Sequence, residues 1–158
     1  MMVGSVAAER ADAKYMREAL RTARRGAAAG EVPVGAVIVV EGRVIAGAHN
    51  EPIARHDATA HAEVLAIREA GRVIGNYRLL SARLYVTAEP CVMCCGAIVS
   101  ARIEHVIYGV ADPKAGAVES LYHILADARL NHRPWVTSGV LASECADLLR
   151  EFFRSRRT

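Results

Sequence analysis

The stretch ARLYVTAEPCVMCCGAIVSA, residues 82–101, holds the transition that decides the fold. Its first part, ARLYVTAE (82–89), carries β-branched and aromatic side chains and reads as a strand. Its second part, PCVMCCGAIVSA (90–101), reads as a helix with Pro90 at the first position, where the missing N–H costs nothing. A strand running straight into a helix is the unit of an α/β sheet. Three thiols, Cys91, Cys94 and Cys95, crowd the start of that helix.

The segments on either side repeat the alternation. Residues 12–29 predict an amphipathic helix with Met16, Ala19, Leu20, Ala23 and Ala27 on one face. Arg17, Arg21, Arg24 and Arg25 lie elsewhere on it, as a solvated face. PVGAVIVV (33–40) and RVIAGAHN (43–50) are two β-rich runs joined by Glu41-Gly42, the spacing of a hairpin. EPIARHD reads as a loop. TAHAEVLAIREAGRVIG reads as a helix opened by Thr59, a good N-cap residue. IEHVIYGV (103–110) predicts a strand, 117–127 a short helix, WVTSGV (135–140) a last strand, and ASECADLLREFFRSRR a terminal amphipathic helix. Strands alternating with helices predict an α/β sheet covered on both faces.

The chain has 158 residues, enough for one domain with a core of its own. We expect a flexible tail over 1–12 and one folded unit over 13–158. Hydrophobic residues make up 53% but aromatics only 5%, so Ala, Val, Leu and Ile must build the core. A formal charge of +3 permits a polyanionic partner without requiring one. No apolar run approaches the roughly 18 residues of a membrane span. The first residues lack the basic start and apolar core of a secretory signal. These features lead us to expect a cytoplasmic protein, where clustered cysteines bind metal or do chemistry more often than they form disulfides.

A thiol at a helix start is stabilised as thiolate, the form that binds metal. Cys91 shares a helix face with both Cys94 and Cys95. Their axial separations from it are about 4.5 Å and about 6 Å. Two thiolates on one tetrahedral zinc sit roughly 3.8 Å apart, which favours the pair Cys91 and Cys94. A redox pair is the alternative, but it leaves His61 and Glu63 unexplained. His61-Ala62-Glu63 followed by Pro90-Cys91-Val92-Met93-Cys94 matches the H-x-E…P-C-x-x-C signature of zinc nucleobase deaminases. His61, Cys91 and Cys94 as zinc ligands leave a fourth position open, as a catalytic site requires. A structural site would want a fourth ligand, with Cys95 or Cys145 nearest in kind. Zinc lowers the pKa of water from about 15.7 to about 7, and Glu63 is placed to shuttle the proton. On a regular helix Glu63 points well away from His61, so the pair can share an ion only at a fraying first turn.

The chain resembles the bacterial tRNA-specific adenosine deaminases of the cytidine deaminase-like superfamily, from about residue 13 to the end. The resemblance rests on EVPVGAVIV, HNEPIARHDATAHAEVLAI, NYRLLSARLYVTAEPCVMC, GVADPKAGA and NHRPWVTSGVLASECADLLREFFRSRR. It implies a three-layer α/β/α fold with a central five-stranded mixed sheet. It implies a homodimer with one Zn2+ per subunit, and adenosine-to-inosine conversion at the wobble position (34) of an arginine tRNA. It assigns the zinc to His61, Cys91 and Cys94 and the proton shuttle to Glu63. It assigns the purine to Asn50, and contacts with the anticodon stem-loop to Asp112, Lys114, Phe152 and Phe153. Helical periodicity would instead send Phe152 or Phe153 to the core.

Four positions depart from the family pattern. Glu51 stands where Arg is common, Ala58 where Pro is common, and Glu119 and Cys95 where small residues are usual. Cys95 and Cys145 read as packing residues. His49, His56, His105, His123 and His132 read as hydrogen-bonded or surface residues, and RSRR as a solvated end or a phosphate contact. The zinc motif is shared with free guanine, cytosine and cytidine deaminases, which are the alternative enzymes. A zinc-stabilised RNA-binding module without catalysis is the alternative of another class, and it has no need of Glu63.

Overall fold

In the computed structural model, which describes residues 5–156, the stretch 82–101 becomes strand β3 (Arg83–Ala88) and a helix over Val92–Ala101. In chain order the elements are α1 (Ser5–Ala28), β1 (Gly35–Val40), β2 (Arg43–His49), α2 (Pro52–Arg55), α3 (Ala62–Ile74) and β3. Then come α4 (Val92–Ala101), β4 (His105–Val110), a single 3₁₀ turn at Ile124–Ala126, β5 (Trp135–Thr137) and α5 (Ala142–Arg156). The sheet order is β2-β1-β3-β4-β5. Strand β1 runs antiparallel to both neighbours, while β3, β4 and β5 are mutually parallel. This is the five-stranded mixed sheet that the resemblance implies.

Side chains alternate across the sheet, and each face is covered. Ile38, Leu84, Val86, Val106 and Tyr108 pack with Ala62, Ala66 and Ile98 beneath α3 and α4. Val37, Val39, Tyr85 and Ile107 pack with Met16, Leu20 and Cys145 beneath α1 and α5. Few of these residues are large, so elements approach closely. A Cβ on Gly35 would lie 2.1 Å from the carbonyl oxygen of Ala19, so only glycine lets α1 rest on β1.

Several boundaries differ from those the sequence predicts, each for a local reason. Helix α1 begins at Ser5, so residues 5–12 are helical; Ala7, Ala8, Glu9, Arg10 and Ala11 are good helix formers. Asp12 is buried and accepts the Tyr85 hydroxyl at 2.7 Å. The rest of the expected tail, residues 1–4, lies outside the described residues. The hairpin turn puts Glu41 at φ 51° and Gly42 at φ 74°, both left-handed, as a two-residue type I′ turn needs. EPIARHD contains a short helix, because the Glu31 carboxylate accepts the free N–H groups of Ile53 and Ala54 at 3.3 and 2.8 Å. Pro90 precedes helix α4 instead of opening it. The expected helix over 117–127 shrinks to one 3₁₀ turn, since the Ala117 carbonyl pairs with the Ile124 N–H at 3.1 Å and not with that of Leu121, which goes to Gly116 at 2.9 Å. Strand β5 spans three residues rather than six.

Candidate metal centre and active site

Helix α3 starts later than a Thr59 cap would place it. The N-cap is His61, with extended φ and ψ of −78° and 152°, and the Thr59 hydroxyl instead donates to Asp57 at 2.7 Å. Cys91 is the N-cap of α4, at φ −81° and ψ 180°. Neither residue spends its side chain on its own helix. Asn50 supplies the missing cap for α3: its Oδ1 accepts the Ala62 N–H at 2.8 Å.

These two helix starts place three ligand atoms together. His61 Nδ1 lies 3.6 Å from Cys91 Sγ and 3.6 Å from Cys94 Sγ. All three atoms fall within 4.8 Å of one another, the one such cluster of His, Cys, Asp and Glu among the described residues. Bonds of about 2.05 Å to nitrogen and about 2.3 Å to sulfur at a tetrahedral angle separate N and S by about 3.6 Å. The donor set therefore fits zinc in both spacing and chemistry.

The protons around the cluster follow from its packing. The hydrogen bond from Cys94 brings the Cys91 thiol down to about 3, and Cys94, as the donor, is pushed up. The Cys91 thiolate raises the pKa of His61. Glu63 sits in the first turn of α3, only 4% exposed, and hydrogen-bonds with Cys94. Burial pushes its carboxyl up to about 7. A carboxyl poised near neutrality can both take and give a proton.

Cys95 turns away from this cluster. It is fully buried among Leu84, Val86 and Ile98, and its thiol donates to the Pro90 carbonyl at 3.8 Å. Cys145 is buried on the other side of the sheet. His49, His105 and His132 bond Asn50, Thr137 and the Ile103 carbonyl. His56 and His123 are exposed, each beside a short helical turn.

Glu89, which lies outside the residues that the sequence motifs single out, proves central. It is 4% exposed and lies between β3 and Cys91. Its carboxylate accepts the backbone N–H groups of Asp112 at 3.0 Å, Val118 at 3.1 Å, Glu119 at 2.8 Å and Ser120 at 2.9 Å. The Ser120 hydroxyl also donates to it, at 2.5 Å. Gly116 gives it room: a Cβ there would lie 2.3 Å from the carboxylate carbon. These bonds hold the loop of Asp112 and Lys114 against the strand that delivers Cys91. The Asp112 side chain is occupied inside that loop, accepting the amides of Lys114 and Ala115 at 3.0 and 3.2 Å. Glu119 accepts the Tyr108 hydroxyl, which gives this departure from the family pattern a partner. A carboxyl at the end of a strand, followed by Pro, is the signal in the sequence that marks Glu89.

Lys114 and Phe153 share an open groove of about 640 Å³ with Leu149, Arg150, Arg154 and Arg156. Phe153 is exposed and Phe152 half-buried, so neither is the core residue that periodicity alone suggests. Their rings meet edge to face at 5.5 Å, and Arg156 lies 4.6 Å over Phe152. No described helix is long and apolar enough to cross a membrane.

Known proteins share this arrangement. Residues 9–110 match the cytidine and deoxycytidylate deaminase zinc-binding region. The chain is 50% identical over 143 residues to a tRNA-specific adenosine deaminase of Streptococcus pyogenes serotype M1, covering 90% of this chain and 84% of that one. A structure from work on A-to-I editing by tRNA:A34 deaminases at the wobble position of transfer RNA superposes with a TM-score of 0.84. It is 47% identical, and the match covers 86% of this chain and 99% of that one. A Bacillus subtilis guanine deaminase structure is 36% identical with a TM-score of 0.60, over 68% of this chain and 80% of that one.

Proposed function

The chain belongs to the tRNA-specific adenosine deaminases, within the cytidine and deoxycytidylate deaminase zinc-binding family, and from that premise we propose which of its residues do the work. The reaction is hydrolytic: adenosine 34 of a tRNA loses its 6-amino group as ammonia and gains the oxygen of water, giving inosine. His61, Cys91 and Cys94 hold one Zn2+. When bound, the ion makes hydroxide available at neutral pH by bringing the pKa of water to about 7.

Glu63 moves the protons. Its carboxylate accepts one from the attacking water and delivers it to the ring nitrogen beside the reacting carbon. It then carries a second proton to the departing amine. Burial suits it to this, since a carboxyl near 7 is neither too weak a base nor too weak an acid. Asn50 orients the purine. Its Oδ1 is committed to the Ala62 N–H, so its amide N–H₂ is left to donate to an acceptor on the ring. Splaying the target base out of its stack into a pocket is how such enzymes reach a target atom.

The observation that supports this assignment best is Glu63 buried against Cys94 beside a ligand triplet with zinc spacing. The loop of Asp112 and Lys114 and the aromatic pair Phe152 and Phe153 contact the anticodon stem-loop, where aromatic and basic groups suit unpaired bases. We take an arginine tRNA as the substrate, a homodimer as the assembly, residues 13–158 as the deaminase domain and the cytoplasm as the compartment.

Incubating the zinc-loaded protein with an A34-containing arginine tRNA, guanine and cytidine tests the reading. Inosine should form in the tRNA and vanish in Glu63→Ala, while zinc stays bound. Turnover of guanine or cytidine alone would move the chain to the free-base deaminases.

A further inference from the structure

A second cleft opens beside Asn50, on the edge of the sheet at β2, and it is lined with arginines. Its volume is about 450 Å³, and Arg25 of α1, Arg55 of α2, and Arg68 and Arg72 of α3 converge on it with Glu51 and Glu69. Arg55 is held by Glu51 at 2.6 Å, and Arg72 by Glu69 at 2.5 Å. Among the described residues, Arg25 and Arg68 make no ion pair; Arg25 reaches only the Thr22 hydroxyl, at 3.5 Å. Two guanidinium groups are therefore available to an anion.

Three features choose the anion. Guanidinium groups brought to one cleft from α1 and α3 suit an oxyanion such as phosphate, which such groups grip through paired N–H donors. Gly47 and Ala48 in the lining add little or no side chain, which leaves room for a bulky backbone, and among the described residues His49 is the one ring in the lining. With no Phe, Tyr or Trp among those lining residues, bases have little to stack on, and backbone is the part of a nucleic acid that fits. Finally, the cleft is tied to the active site through the chain at Asn50. His49 and Glu51 line it on either side of Asn50 in sequence, and Asn50 itself bonds the residue next to His61.

We infer that this arginine cleft binds a backbone phosphate of the substrate RNA close to the reacting nucleoside, with Arg25 and Arg68 as its ligands, and that Glu51 weakens the grip by holding Arg55. The inference rests on the tRNA deaminase reading. It also gives the Glu51 departure a role: this glutamate does not face the RNA as a bare charge but occupies one of four arginines.

The test uses the zinc-loaded full chain on an anticodon stem-loop RNA, with kcat and KM measured from about 50 to about 200 mM salt. Each phosphate contact to a single strand contributes about 0.7 to the salt slope, or about threefold in affinity across that range. Arg25→Ala and Arg68→Ala should each raise KM severalfold, lower the slope by about that amount and leave kcat unchanged. Glu51→Gln should lower KM and steepen the slope. Arg17→Ala, exposed on α1 and outside the cleft, should change neither. Indifferent KM and slope in both arginine variants overturn the inference, and so does an equal effect in Arg17→Ala, which would mean a general field. Inorganic phosphate that competes with RNA beyond its ionic strength would assign the cleft to a free anion instead. Failure of the unmodified chain to deaminate any tRNA would sink the tRNA reading; normal turnover with indifferent variants sinks only the cleft.

Discussion

Cys94 and Cys95 are chain neighbours with opposite surroundings. One helix step, about 100°, turns Cys94 toward His61 Nδ1 and Cys95 into the apolar layer under α4. Cys94→Ala should lose both zinc and activity. Cys95→Ala should keep both and cost about 1 kcal/mol of stability, as a small buried truncation does. Zinc content and thermal unfolding of the two variants check this, and zinc loss from Cys95→Ala would contradict the assignment. The sequence alone makes this pair readable, because spacing along one helix follows from covalent chemistry. The cap of α3 is not readable in the same way. Thr59 and His61 can both precede a helix, and what decides between them is Asn50, arriving from the end of β2 to bond the Ala62 amide. With His61 outside the helix, the clash of facing between His61 and Glu63 disappears.

Among the elements, the segment after β4 shows most plainly how loop pairings override a local preference. Its sequence favours a helix over 117–127, but the Ala117 carbonyl, which a helix would pair with the Leu121 N–H, accepts the Ile124 N–H instead, and the Leu121 N–H goes to the Gly116 carbonyl. Glu89 then fixes the start of the segment by accepting the amides of Val118, Glu119 and Ser120, and such charge-assisted bonds are the stronger kind. Glu89→Gln keeps the shape but points an N–H₂ at these donors. It should cost about 3 kcal/mol, read from denaturant unfolding, and raise hydrogen exchange at residues 112–120. The short strand β5 depends on another such tie, His105 to the Thr137 hydroxyl at 2.8 Å. Burial holds the pKa of His105 below its usual 6.5, aided by the charge of Arg83 and opposed by those of Asp12 and Glu104. The folded protein therefore prefers neutral His105. Its contribution is present above pH 6.5 and is lost as pH falls below it. Amides of Val136 and Thr137 should exchange faster on acidification through that range, and His105→Gln should flatten the response.

At the scale of the whole molecule, the centre is a meeting of two helix starts from distant parts of the chain. His61 follows the hairpin β1–β2, and Cys91 follows β3 in the middle of the sheet. An ion bridging them ties α3 to α4 and stabilises the fold by mass action. Zinc present at about a thousand times its dissociation constant adds roughly 4 kcal/mol, so chelation should lower the melting temperature by roughly 10 °C. The apo protein should stay folded, since both faces of the sheet keep their apolar layers, and Cys94→Ala should show no chelator shift. Composition and periodicity alone determined an α/β sheet with an Ala-, Val-, Leu- and Ile-built core, because burial patterns repeat with the period of each element. Motif order alone determined the candidate ligand set, because thiolate spacing and a His-x-Glu partner are chemical facts of the chain. Only the tertiary structure decided that Asn50 caps α3, that Glu89 organises the loop of Asp112 and Lys114, and that Glu51 lies folded onto Arg55 in a basic cleft. Each of these is a contact between residues whose meeting depends on how whole elements pack, and no local propensity encodes it.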